Sequence, residues 1–307
     1  MAIASSRTVK VEQLAKHASW RKREWVSAYL FILPSGLLIA AFLAFPVIYS
    51  LWLSLLNWDG MSPRMSFVGA GNYQTLLTSH EFWNSMLVTG YYTLGSVPLR
   101  MAAALALAIF LNQKVRGLGI YRTFYFTPVV TSGIAVSIVW LWIFDPTWGI
   151  ANWVLGLVHI PSLQWLSSPV EAMPGLILMS VWKGVGFDMV IYLAGLQGIP
   201  ETYYEAATVD GAGRWAMFRH ITWPLLAPTT FFILVTGIIG ASQVFDQVFV
   251  MTNGGPLRST EVLVFLLYQY AFKFFEMGYA SALAWVIFLV ILAFTLLQWK
   301  FLPQDVT

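Results

Sequence analysis

Six stretches of this chain are apolar for about twenty residues or more, the length at which a helix crosses the hydrocarbon core of a bilayer. They run from Val26 to Leu55, Asn84 to Leu111, Thr123 to Phe144, Ala172 to Leu196, Trp223 to Val250 and Met277 to Trp299. Charge is correspondingly scarce: 10% of the 307 residues are Asp, Glu, Lys or Arg, where a soluble domain carries roughly 25%. So few charges cannot clothe a water-soluble surface of this size. The chain therefore reads as an all-α, polytopic membrane protein with about six transmembrane helices. The first segment is too long for a signal-peptide core, and no small-residue cleavage site follows a short core, so it reads as a retained span. Glu261 to Phe275 is apolar and aromatic but short. It reads either as an interfacial helix or as part of the last span.

The remaining composition narrows the function classes. A net charge of +3 is too small to point to nucleic acid. The absence of Cys excludes disulfides, thiolate metal sites and a Cys nucleophile. His17, His80, His159 and His220 are scattered, and the acidic groups are dispersed. No GxxxxGK[ST] run is present, so ATP is not expected to bind here in that way. The chain is expected to be no enzyme and to hold no catalytic residue, metal or cofactor of its own.

Lys and Arg set an orientation, because cytoplasmic segments carry the excess. Arg7, Lys10, Lys16, Arg21, Lys22 and Arg23 crowd the N-terminal tail. Lys114, Arg116 and Arg122 follow span two, Arg214 and Arg219 follow span four, and Lys300 closes the last span. The opposite side has only Arg64, Arg258 and Lys273. Both termini and the loop after span four are thus expected in the cytoplasm. Three parts follow: a basic tail over 1–25, a first transmembrane helix over 26–56, and a five-helix unit over 84–300.

The loop after span four, 201–222, is too structured for a simple reversal. Thr202 to Val209 has helical spacing, Gly211 and Gly213 break it, and Trp215 to Ile221 begins a second short helix. Pro224 suits the first turn of span five, where a missing N–H is harmless. Within this run Glu205, Ala206, Ala207, Asp210, Gly211, Ala212, Phe218, Ile221 and Pro224 resemble the EAA signature of permease subunits of bacterial ABC importers. Trp223 stands where that family usually has Leu. Leu196-Gln197-Gly198-Ile199-Pro200, Phe245-Asp246, Thr252-Asn253-Gly254-Gly255-Pro256 and Gly278-Tyr279-Ala280-Ser281-Ala282 resemble its maltose-type and glycerol-phosphate-type carbohydrate branch.

The resemblance implies a type I importer permease fold in a bacterial cytoplasmic (inner) membrane. It implies import of a carbohydrate or related polyol, with ATP and Mg bound by partner ATPase subunits rather than by this chain. The implied partners are a second permease, commonly a different one, two ATPase subunits and an extracytoplasmic substrate-binding protein. Glu205 would pair with a basic group on an ATPase, Ala206 and Ala207 would permit close approach, and Gly211 would make the turn. The competing reading is an amphipathic helix lying on lipid headgroups, which suits Arg214 and Trp215 but not the Ala-Ala-Gly face.

Polar groups inside spans are functional candidates. In span five, Thr236, Gly240, Gln243 and Gln247 share one helical face. Ser242 and Asp246 form an adjacent row, and Gly237, Gly240, Ala241 and Val244 lie beside them. In span four, Gly184, Asp188 and Tyr192 are spaced by one turn, with Phe187 near. In the resembled family spans four and five face the central cavity, which makes these the candidate substrate pathway. Small residues and Gln pairs also serve helix packing. Asp246 also suits a structural part beside the Gly-Gly-Pro turn. Lys183 is expected to snorkel outward. Arg100 needs a partner, a carbonyl or water, and both cavity lining and a subunit interface are open to it. Trp140, Trp142, Trp148, Trp153 and Trp165 read mainly as an interfacial belt. An ion-driven secondary transporter or channel would show inverted repeats and broken midplane helices, and neither is evident. A membrane-embedded enzyme would need a cluster of His or acids.

Overall fold

The computed structural model describes residues 25, 27–113 and 118–300. The basic tail and the charges at Lys114 and Arg116 lie outside the described residues. Among the described residues four helices are long and apolar enough to cross a membrane, and up to six do so if each of two bent pairs counts as one span.

Helix α1 (Ser27–Leu53) is apolar on every side, and none of its most apolar stretch is buried by the rest of the chain. Its last turns touch the fold, where Trp285 Nε1 donates to Ser50 Oγ at 3.2 Å. Two strands of two residues each follow, β1 (Leu56–Asn57) antiparallel to β2 (Ser66–Phe67), with Leu56 opposite Phe67. Then come α2 (Gly71–Thr78) and α3 (His80–Leu111). The Ser79 side chain caps the N–H of Phe82, so α3 begins at His80, ahead of its apolar run.

The third apolar run is not one rod. It divides into α4 (Leu118–Val130) and α5 (Gly133–Ile143), which meet at 100°. Ser132 between them leaves the helical conformation, at φ −52° and ψ 132°, and Pro128 removes an N–H from the last turn of α4. A short α6 (Ile150–Leu157) leads to α7 (Ala172–Gln197). The fifth run is also broken. Arg214–Leu225 (α9) and Ala227–Ser242 (α10) meet at 62°, and α10 stops before Gln243. The span therefore starts with Pro228 in its first turn, and Pro224 belongs to the preceding loop helix. After a π-helical turn over Val248–Thr252, the segment from Leu263 to Lys273 forms its own helical piece: α11 (Leu263–Tyr268) and a π-helical turn. It is separate from the last helix, α12 (Met277–Lys300).

The centre is the packing of α3 on α7, with α10 laid against α3. Tyr92, Val97, Met173, Leu176 and Phe265 fill one half of this core. Ala104, Ala108, Met189, Leu193, Leu226 and Ile233 fill the other. Burying such side chains contributes roughly 1.5–3 kcal/mol each relative to water. In a bilayer the same contacts act mainly through close packing, since lipid is as apolar as Leu.

Candidate functional site: a projecting loop and a polar centre

Pro200 is extended and starts α8 (Glu201–Val209). The helix ends in a paired set of reversed hydrogen bonds, Ala212 N to Ala207 O at 2.9 Å and Gly211 N to Thr208 O at 3.1 Å. That closure needs a left-handed residue, and Gly211 supplies it at φ +80°. Gly213 then caps α9. The two helices are tied by a hydroxyl pair, Tyr204 Oη and Thr222 Oγ1, at 2.9 Å. No residue of α8 is buried. Glu205 and Ala206 are exposed, Ala207 is half-buried, and Asp210 and Gly211 are exposed in the turn. Ala212 is half-buried. Phe218 sits on α9 and stacks on Trp215 at 5.5 Å.

The polar candidates gather around two charged groups on α7. Asp188 is only 2% exposed and accepts from Arg100 Nε at 2.6 Å. A Cβ on Gly184 would stand 2.6 Å from Arg100 Cδ, and one on Gly237 would stand 3.0 Å from Arg100 Nη2. The guanidinium thus lies in a slot that α7 and α10 leave by having no side chain there. The partner that Arg100 requires inside a span is therefore Asp188, within the same chain.

Lys183 does not snorkel outward. Its Nζ and Asp246 Oδ2 both reach the bare Cα of Gly133, where a Cβ would stand 3.0 and 2.6 Å from them. Lys183 and Asp246 share a cavity of about 230 Å³ with Ser137, Gln243, Val244 and Gln247. Gln247 Nε2 donates to Tyr92 Oη, and Tyr92 Oη donates in turn to Ser180 Oγ at 2.7 Å. Donors and acceptors of this kind suit a ligand rich in hydroxyl groups.

The single polar face read along span five does not exist, because α10 ends at Ser242. Gln243, Val244, Asp246 and Gln247 line the cavity from the irregular turn beyond it. Thr236 donates to Phe232 O at 2.8 Å on an exposed face, and nothing lies within 4 Å of a Cβ built on Gly240. Ser242 instead helps line an apolar groove with Thr89 and Ile287. Phe187 is 46% exposed, while Ala241 and Tyr192 are packed in the core. Gly133, Ser137 and Met179 also line the cavity and were not candidates. No periodicity marks Gly133, because it belongs to the break between α4 and α5. Ser180 could have been found, lying one turn from Lys183 and Gly184 on α7.

Residues 99–303 match the family described as binding-protein-dependent transport system inner membrane component. The probable ABC transporter permease protein YesP of Bacillus subtilis (strain 168) is 39% identical over 294 residues, covering 94% of each chain. The trehalose/maltose transport system permease protein MalF of Thermococcus litoralis is 34% identical over 278 residues, covering 91% of this chain and 94% of the relative. The fold matches a chain of the bacterial alginate ABC transporter in complex with an alginate pentasaccharide-bound periplasmic protein. There the TM-score is 0.78 at 24% identity, over 90% of this chain and 93% of that one. The projecting EAA loop, the helical membrane fold and these relatives place the chain in the family of inner-membrane permease components of binding-protein-dependent ABC transport systems.

Proposed function

We propose that this chain is one of two permease subunits that pass a carbohydrate or related polyol into the cell, driven by ATP hydrolysed on separate cytoplasmic subunits. The observation that carries this reading is the isolation of α8. A helix with no buried residue, closed by a left-handed glycine and tied to the next helix, is built to meet something outside the chain. Glu205 supplies one charge to fix register on an ATPase subunit, and Ala206 and Ala207 let backbones approach. ATP and Mg belong to those subunits.

The basic flanks put α8 and both termini in the cytoplasm, in a bacterial inner membrane. A second permease, commonly distinct, covers surfaces that this chain leaves apolar, among them α1. A substrate-binding protein delivers the ligand on the outer side. The pathway runs past Lys183, Gln243, Val244, Asp246 and Gln247, with Gly184, Asp188 and Gly237 holding Arg100 behind them. Thr236, Gly240 and Phe187 flank the way, and Tyr192 and Ala241 support it from the core. Closing of the ATPase pair draws the two α8 helices together, and α10 follows through the Leu226 bend.

The test is to change Glu205→Lys and Gly211→Val singly in the assembled complex. Uptake and substrate-stimulated ATP hydrolysis are then measured side by side. Both variants are expected to lose uptake and its stimulation. Coupled uptake that survives both changes sinks the reading.

A further inference from the structure

The loop that carries α8 has a second half of opposite chemistry. Helix α8 and its turn hold Glu201, Glu205 and Asp210 and no basic group, whereas α9 holds Arg214, Arg219 and His220 and no acid. Trp215 is 71% exposed and Trp223 49% exposed, and Arg219, also exposed, lies between them in the sequence. Phe218 braces both indoles from behind, at 5.5 Å from Trp215 and 6.3 Å from Trp223. Helix α9 runs directly into α10 but at 62° to it. It therefore leaves the span obliquely instead of continuing into the water.

Indole rings next to guanidinium groups, on a helix inclined at the mouth of a span, match the headgroup layer of a bilayer. The ring bodies sit at the acyl boundary, and Arg presents a planar fork to phosphate oxygens. An acid-free basic helix is complementary to anionic lipids, which are concentrated in the cytoplasmic leaflet. We propose that α9 is docked on the anionic phospholipid headgroups of the cytoplasmic leaflet, while α8 alone meets the ATPase. The loop would then hold one anchored arm and one driven arm. The side of the membrane assumed here rests on the orientation proposed above.

The chain contains no Cys, so single spin labels can be placed cleanly. The full complex, its other subunits freed of cysteine, is labelled at H220C on α9 or at Y203C on α8. It is reconstituted in phosphatidylcholine vesicles with and without phosphatidylglycerol. At 220, collisions with dissolved oxygen are expected to exceed those with a water-soluble nickel chelate. The excess should be larger with phosphatidylglycerol and should fall several-fold in R214Q/R219Q. A label at 220 that is open to the nickel chelate overturns the proposal, as does one shielded from both reagents by protein. Equal values with and without phosphatidylglycerol overturn it as well. A label at 203 freely open to water with ATPase subunits bound defeats the coupling reading and leaves the headgroup contact standing.

Discussion

Arg100 on α3 donates its Nε hydrogen to Asp188 on α7 across 2.6 Å, with the carboxylate almost wholly enclosed. Each side chain removes the liability of the other. Breaking a buried pair from one side costs about 3–5 kcal/mol, whereas replacing both members with apolar groups is often close to neutral. Arg100→Leu and Asp188→Leu alone are therefore expected to lower the melting temperature of the purified complex sharply, and the double variant should recover most of that loss. A double variant that melts as low as the sum of the singles would show that the pair is not the source of the effect.

The same slot gives a graded series on glycine. Gly184→Ala puts a methyl 2.6 Å from Arg100 Cδ, Gly237→Ala puts one 3.0 Å from Nη2, and Gly240→Ala meets nothing within 4 Å. Uptake is expected to fall in that order, with Gly240→Ala near wild type. Overpacking of this kind costs about 1–3 kcal/mol. An equal loss at all three positions would argue for a general intolerance of α7 and α10 instead.

Gly133→Ala should act on the cavity without touching the Arg100 slot. Its methyl would displace the heads of Lys183 and Asp246, both of which line the cavity. Initial-rate uptake should show KM raised roughly tenfold, equivalent to about 1.4 kcal/mol of lost binding, with stability little changed. Asp246→Asn should move KM in the same direction. Unchanged KM in both variants would remove the cavity from the substrate's path.

At the loop, Gly211 and Gly213 make a matched pair. Gly211 is at φ +80°, where an added Cβ costs about 1–2 kcal/mol. Gly213 is at φ −74°, which any residue tolerates. Gly211→Ala should impair uptake and Gly213→Ala should not, with uptake per assembled complex as the measure.

Outside the spans, Glu261 is 3% exposed. Burial raises its carboxyl above the ordinary 4.5, opposed by Arg258 and helped by Glu81. A carboxyl whose folded value is raised is held more firmly protonated in the folded state. Its contribution is therefore fully present below the unfolded value and is lost as pH rises through the folded one. Glu261→Gln should abolish that decline. Its melting temperature relative to wild type is expected to climb from pH 4 upward and then level off. A difference that is flat across this range contradicts the assignment.

Hydropathy made the helical membrane fold legible, because an apolar run of span length has few other solutions. Helix α8 was legible too, since Gly211 marks a stop in any helix. The breaks were not legible. Hydropathy scores Pro128, Ser132 and Gly133 as mild residues inside an apolar run, yet together they turn the chain by 100°. The end of α10 at Ser242 was equally hidden, so Gln243 and Gln247 were assigned to a face that the backbone does not form. Arg100 could be seen to need a partner, but Asp188 is 88 residues away, and only packing brings them together.

The contact between Tyr204 and Thr222 changes how a push on α8 would be distributed. Two hydroxyls 2.9 Å apart bridge the loop across its open side, in parallel with the backbone through Gly211. Load applied at Glu205 has two routes to Leu226, one covalent and pliable, the other non-covalent and short. The glycine can then be the most deformable point of the loop without being its weakest, because the hydroxyl strut resists opening while the turn permits bending.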